Sequence, residues 1–192
     1  MSKLLSCVAL LALVAASPAR ATDLTVGLQG HFAIPSGKAA DNTHLDGKTG
    51  FGLGLNFPVD LGNGHVFRPK VDYIAFNRET MGITSKSDTI SVIADYNYYF
   101  AGQRQGAYLI AGLGYNSTKR EISGTVYGLK ASVDATTSGL AYNFGLGFAF
   151  NKTVALELKY MGADLPDFKY NGYTVDTSYT ANAIVASVSI TF

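Results

Sequence analysis

The stretch GLAYNFGLGFAF, residues 139–150, places a large apolar side chain at every second position: Leu140, Tyr142, Phe144, Leu146, Phe148 and Phe150. Between them stand Gly139, Ala141, Asn143, Gly145, Gly147 and Ala149. After a break at 151–153 the alternation resumes with Val154, Leu156, Leu158 and Tyr160. A period of two predicts strands. In a water-soluble sandwich the second face would carry Thr, Lys, Glu or Gln, because glycine weakens a strand and fills no space. Small residues on that face point to crowding. In a narrow barrel the inward residues of opposite strands compete for one lumen. The bulky face then lies outside, which makes sense only against lipid. Alternation alone does not tell inside from outside, so the rest of the chain must decide.

The N-terminus reads as an export signal. Lys3 supplies a positive start, residues 4–16 form an apolar run, and Ala19-Arg20-Ala21 fits a small-x-small cleavage site before Thr22. The run is too short for a spanning helix, which needs about 20 residues. Residues 1–21 are therefore expected to be removed, leaving 22–192 as a single domain. Cys7, the one cysteine, falls in the removed segment, so no disulfide or thiol chemistry is expected. Loss of Lys3 and Arg20 leaves 13 basic and 14 acidic residues, with no basic block to hold nucleic acid. No later stretch is apolar enough for a spanning helix.

Eight alternating segments follow: 24–34, 49–57, 66–76, 89–100, 107–115, 139–150, 154–160 and 180–192. The second puts Phe51, Leu53 and Leu55 outward and Gly50, Gly52 and Gly54 inward. The fourth has Ile90, Val92, Ala94, Tyr96 and Tyr98 outward, and the eighth Ile184, Ala186, Val188, Ile190 and Phe192. The odd-numbered connections are long (35–48, 77–88, 116–137, 161–179) and the even-numbered ones short (58–65, 101–106, 151–153). Transmembrane barrels sort their loops by parity in this way, with long loops outside and tight turns in the periplasm. Aromatics gather near strand ends: Phe57, Phe67, Tyr98, Phe100, Phe148, Phe150 and Phe192 toward the short turns, Tyr73, Tyr115, Tyr142 and Tyr160 toward the long loops. Such girdles mark the two membrane interfaces. The fold expected is an all-β, eight-stranded antiparallel up-and-down transmembrane barrel, monomeric, with its termini on the periplasmic side.

The chain ends in Phe192, preceded by alternating Ile190, Val188 and Ala186. This resembles the C-terminal signal read by the barrel assembly machinery of Gram-negative outer membranes, so Phe192, Ile190 and Val188 are assigned as an assembly signal. AYLIAGLGY (107–115) and VALELKY (154–160) resemble strands of the small eight-stranded OmpX/OmpA-type barrels and the opacity-type porin-like proteins. The resemblance covers the whole mature chain. It implies a place in the cell outer membrane among phospholipid and lipopolysaccharide, and delivery by periplasmic chaperones and the assembly machinery. Members of this group serve in adhesion, membrane integrity and serum resistance, and some have been proposed as narrow pores. The peptidoglycan-binding domain of the OmpA type is not expected.

Inward positions carry Arg68, Lys70 and Asp72 on the third segment, Asp95 on the fourth, and Glu157 and Lys159 on the seventh. They suggest either a lumen network or a pore lining. An eight-stranded barrel has room for side chains and little else, and a buried charge left alone is costly. The expected state is a plug, with Arg68 opposite Asp95 and within reach of Glu157; a narrow, low-conductance channel is the alternative.

An outer-membrane enzyme that modifies lipid is a further alternative. It would need a nucleophile, a base and an orienting acid together. His44 lies in the first long loop near Ser36, Asp41 and Asp46, a group that reads as solvated rather than metal-binding. His31 is inward with no obvious acidic neighbour, and His65 lies at a short turn. No enzyme, metal or cofactor is expected. The third long loop carries Lys119, Arg120, Tyr127 and Lys130, with Glu121 and Asp134, and is expected to contact a host or matrix ligand. EISGTVYGLKASV (121–133) partly alternates, so the fifth and sixth segments are expected to continue outward as a protruding hairpin.

Overall fold

A computed structural model of the chain describes residues 25–36, 49–80, 83–126, 129–165, 168–170, 173–175 and 179–192. Its strands are β1 (Gly27–Ser36), β2 (Gly50–Asn56), β3 (Val59–Gly62), β4 (His65–Thr80), β5 (Ile83–Tyr99), β6 (Gly106–Val126), β7 (Leu129–Ala149), β8 (Val154–Leu165), β9 (Phe168–Tyr170), β10 (Tyr173–Val175) and β11 (Tyr179–Thr191). The main sheet runs β2-β1-β11-β8-β7-β6-β5-β4, and β2 pairs back onto β4. That closes an eight-stranded antiparallel barrel. Gly27 opposite Thr191 and Ser36 opposite Asn182 bound the seam between the first and last strands. Beyond it, the Phe192 amide donates to the Val26 carbonyl at 2.8 Å.

β3 is not a ninth stave. It pairs with the same strand as β2, Val59 opposite Phe67, and continues the line of β2 past Phe57 and Pro58. Proline has no amide hydrogen for the ladder, which interrupts the strand. The β3–β4 turn is Asn63-Gly64, both at positive φ (53° and 83°), as a tight type I′ hairpin requires. The expected connection 58–65 thus contains a strand. β9 and β10 pair with each other within the expected loop 161–179.

Two further long connections are corrected. Residues 77–88 are almost all ladder, since β4 and β5 stay paired from His65–Tyr98 to Thr80–Ile83. Residues 116–137 are mostly strand: β6 and β7 pair without a break from Gly106–Ala149 to Val126–Leu129. Lys119 and Arg120 therefore sit in β6, opposite Thr136 and Ala135, rather than in a loop. Lys130 is in β7, and Tyr127 lies outside the described residues, as do residues 1–24 and the group His44, Asp41 and Asp46. The protruding hairpin is present, and it is part of a larger extension that includes β4 and β5.

Burial separates the faces. Leu146 is 60% exposed and Leu53 73%, whereas Lys70 and Lys159 are each 1% exposed. A water-soluble fold reverses this assignment. Here the apolar wall faces outward, as lipid demands, and the polar residues fill the lumen. The ladder closes on itself, so within the wall the main chain hydrogen-bonds strand to strand.

The small inward residues have a steric cause. A Cβ at Gly112 would run into Asp95 and Asn143, and one at Gly54 into Asp72 and His31. Long polar side chains from one strand occupy the space that the glycines of the next leave open.

Candidate functional site in the barrel lumen

Along β4 the inward positions read Val66, Arg68, Lys70, Asp72 and Ile74, all buried. A charged layer thus lies between apolar contacts. Toward the short turns, Val66, Tyr99, Tyr108, Ile110 and Ala149 pack together. Toward the long connections stand two clusters, Ile93 with Ala141 and Ala163, and Ala33 with Ile74 and Val185.

The six charged residues of the layer come from three strands, β4, β5 and β8. The β4–β5 register sets Arg68 directly opposite Asp95, and Arg68 Nη2 donates to Asp95 Oδ2 at 3.1 Å. Arg68 Nη1 pairs with Glu157 Oε1 from β8, across the lumen. Lys70 Nζ bridges Asp72 Oδ2 at 3.1 Å and Asp95 Oδ2 at 3.2 Å. Lys159 Nζ donates to Glu157 Oε2 at 2.7 Å. Three cations thus meet three carboxylates, each with its side chain 5% exposed or less. Such balance matters because removing a charge from water costs several kcal/mol unless partners replace the solvent. The planar guanidinium suits two acceptors at once, a geometry an ammonium matches less well.

Sequence reasoning placed Arg68 at the centre, but Glu157 collects more partners. Besides Arg68 and Lys159 it accepts from Gln29 Nε2 at 3.0 Å and from the Tyr108 hydroxyl at 2.8 Å. Asn143 Nδ2 donates to Asp95 Oδ1 at 2.9 Å. Gln29, Tyr108 and Asn143 are members of the network that alternation and charge do not identify. A buried, inward polar residue on a lipid-facing strand was the available signal, since each must find a partner in the lumen.

One expectation is overturned. His31 does have an acidic neighbour: its Nε2 lies 3.1 Å from Asp72 Oδ1, and its Nδ1 lies 2.8 Å from the Ser187 hydroxyl. The strand between, β2, offers Gly54 at this point, opposite Asp72, and without a side chain there the carboxylate reaches across. His65 begins β4 and packs against Tyr96 and Tyr98 on the outer face. Among the described residues, no group of three or more His, Cys, Asp or Glu side chains is placed to hold a metal ion.

Above the layer is a cavity of about 70 Å³. Its lining carries Ser87, Thr89, Ser91, Asn116 and Thr118 from β5 and β6, with Ile74 and Phe76 on the adjacent β4 and Met161 on β8. The remaining assigned residues lie elsewhere. Val188 and Ile190 face outward on β11, and Phe192 is exposed at its end. Lys119 and Arg120 lie on β6, away from the charged layer.

An alternating, inside-out antiparallel wall closed on a charged lumen belongs to one kind of protein. The model of a single family, described as the outer membrane protein beta-barrel domain, matches residues 5–192. The chain belongs to that family. It is an outer-membrane β-barrel of the Gram-negative envelope. No curated protein matches it in sequence. Solved barrels share its fold. Ail, the attachment invasion locus protein of Yersinia pestis, is 16% identical with a TM-score of 0.60, over 89% of this chain and 100% of that one. Neisserial surface protein A is 15% identical with a TM-score of 0.54, over 89% and 98%. The N-terminal β-barrel domain of Pseudomonas aeruginosa OprF is 11% identical with a TM-score of 0.52, over 88% and 97%. These identities establish the fold and leave function to the residues.

Proposed function

We propose that this outer-membrane barrel is a non-enzymatic surface protein, plugged through its lumen and engaging its ligand through the extension of β4 to β7. Residues 1–21 act as a cleaved export signal, the termini face the periplasm, and Phe192, Ile190 and Val188 are read by the assembly machinery. The plug reading is supported by the charge balance and burial of the Arg68–Asp95–Glu157 layer. A hydrated ion would have to displace those pairs to pass, which favours the plug over the low-conductance channel.

The observation that carries the ligand reading is an open strand edge. Among the described residues, β7 pairs with β8 only from Leu140 onward, opposite Asp164. Among the described residues, 129–139 pair with β6 alone. Their other side presents main-chain donors and acceptors above the membrane, a template for an extended peptide to join by strand addition. Lys119 and Arg120 on β6 and Lys130 on β7 belong to this extension. A second reading of the ligand rests on them: Ail of Yersinia pestis has been solved with the heparin analogue sucrose octasulfate, and basic side chains here would suit a sulfated polymer.

Shortening the β6–β7 hairpin by removing residues 119–136 tests both. The barrel is expected to assemble and to keep its heat-modifiable gel migration, while binding of whole cells to matrix-coated surfaces is lost. Competition by heparin in the intact protein would favour the sulfated ligand, and competition by an extended peptide the strand edge. Unchanged cell binding after the deletion would contradict a role for the extension.

A further inference from the structure

The short-turn end of the lumen, periplasmic in the orientation above, holds a second polar site that borders the plug and shares Arg68 and Tyr108 with it. A cavity of about 20 Å³ lies there, lined by Asn56, Arg68, Tyr99, Arg104, Tyr108 and Lys152 among others, and by no acidic residue. Arg68 turns its terminal nitrogens into the charged layer, but its Nε is buried with no protein partner. Arg104 Nε is also buried and unpartnered. Asn56 is fully buried, and neither its Nδ2 nor its Oδ1 has a partner. Buried donors in native structures are nearly always satisfied, so several left open around one cavity ask for a ligand or solvent.

The charges choose between them. The layer above is balanced, three cations to three carboxylates, whereas Arg104 and Lys152 add two positive charges at the mouth of this cavity. The turn that presents Lys152 is held in shape, because Asn151 Oδ1 accepts from the amides of Thr153 and Val154, each at 2.8 Å. Tyr99 and Tyr108, which also line the cavity, stack with centroids 4.4 Å apart. A water needs roughly 10–15 Å³ of such space, so the cavity admits one monatomic anion or one carboxylate edge entering from the periplasm. Asn56 supplies an amide donor, Arg68 and Arg104 supply Nε–H donors, and Lys152 supplies long-range attraction at the rim.

We propose that this periplasmic mouth is a binding site for a small anion, either inorganic halide or the carboxyl terminus of a periplasmic peptide. The test is a nuclear magnetic resonance titration of the whole barrel in detergent micelles, with ionic strength held fixed by methanesulfonate. Chloride is one probe and N-acetylalanine, a model of a peptide carboxyl end, is the other. The Nε–H signals of Arg68 and Arg104 and the side-chain amide of Asn56 are expected to shift together and saturate. In an Arg104→Gln/Lys152→Gln variant, altered only at the mouth and checked for folding by heat-modifiable migration, the apparent Kd should rise tenfold or more. Asn56→Asp, which supplies the negative charge from the chain itself, should remove the titration. Tighter saturation by N-acetylalanine than by chloride would identify a peptide terminus as the source, and saturation by chloride alone an inorganic ion. Shifts that stay linear with concentration, or that follow the same curve in the double variant, would overturn the site.

Discussion

Gly147 stands directly opposite Tyr108 in the β6–β7 ladder, and the place where a Cβ would sit on Gly147 is filled by the Tyr108 ring. The phenol lies across the glycine and reaches Glu157 at 2.8 Å. The small face of the most regular strand is thus the imprint of large polar side chains from its neighbours. Gly147→Leu should push Tyr108 off its acceptor and overpack the lumen. Overpacking costs typically about 1–3 kcal/mol, to which the lost hydrogen bond adds. Urea unfolding of the refolded barrel in lipid vesicles would show the shift, and an unchanged midpoint would mean that the ring has room to move.

On the opposite side of the same strand the physics is different. Leu146 faces lipid, and Leu146→Arg should cost roughly 2–4 kcal/mol if it lies near the bilayer midplane. Insertion into vesicles, read as the folded band on unheated gels, should fall well below that of the unmutated protein. Leu146→Phe should insert normally. Equal insertion of the arginine variant would contradict the lipid-facing assignment of this strand face.

Within the charged layer the ranking of acids is a prediction. Glu157 accepts from Arg68, Lys159, Gln29 and Tyr108, while Asp72 is held by Lys70 and His31. Removing one partner of a buried pair costs about 3–5 kcal/mol, because the other charge is stranded. Glu157→Ala should reach that range and exceed Asp72→Ala. Arg68→Ala should cost less than Glu157→Ala, since Asp95 keeps Lys70 and Glu157 keeps Lys159. Equilibrium unfolding of the three variants measures the order, and Asp72→Ala emerging as the most damaging would refute it.

How much of this was legible follows from where the information sits. Strand faces were readable because alternation is local, and one side of each strand meets lipid. The pairing of Arg68 with Asp95 is likewise a matter of one hairpin. Strand depth brings Arg68 to Glu157 across the lumen, whereas the contacts of Gln29, Tyr108 and His31 join other strands at levels that depth alone does not single out. Strand ends were misplaced for another reason. In segments 77–88 and 116–137 apolar alternation fades while the backbone ladder continues, the pattern expected of barrel strands that extend past the lipid. Two local signals inside the expected connection 58–65 went unread: Pro58, which interrupts the strand, and Asn63-Gly64, which makes the tight turn.

The assembly signal proposed for Phe192 can be tested apart from stability. Its side chain is exposed, and its amide bond to Val26 belongs to the backbone. Phe192→Ser should therefore leave the unfolding midpoint of protein refolded in vitro within about 0.5 kcal/mol of the original, while the amount of folded barrel recovered from outer membranes drops. Equal recovery from cells would remove Phe192 from the assembly signal.

Single-channel recording in planar bilayers bears most directly on the plugged lumen. The unmutated protein, its insertion verified, should give no steady current above bilayer leakage. Arg68→Ala, which removes the side chain linking Asp95 to Glu157, should open a small and reproducible conductance. Steady conductance from the unmutated protein would contradict the plug and favour the narrow channel.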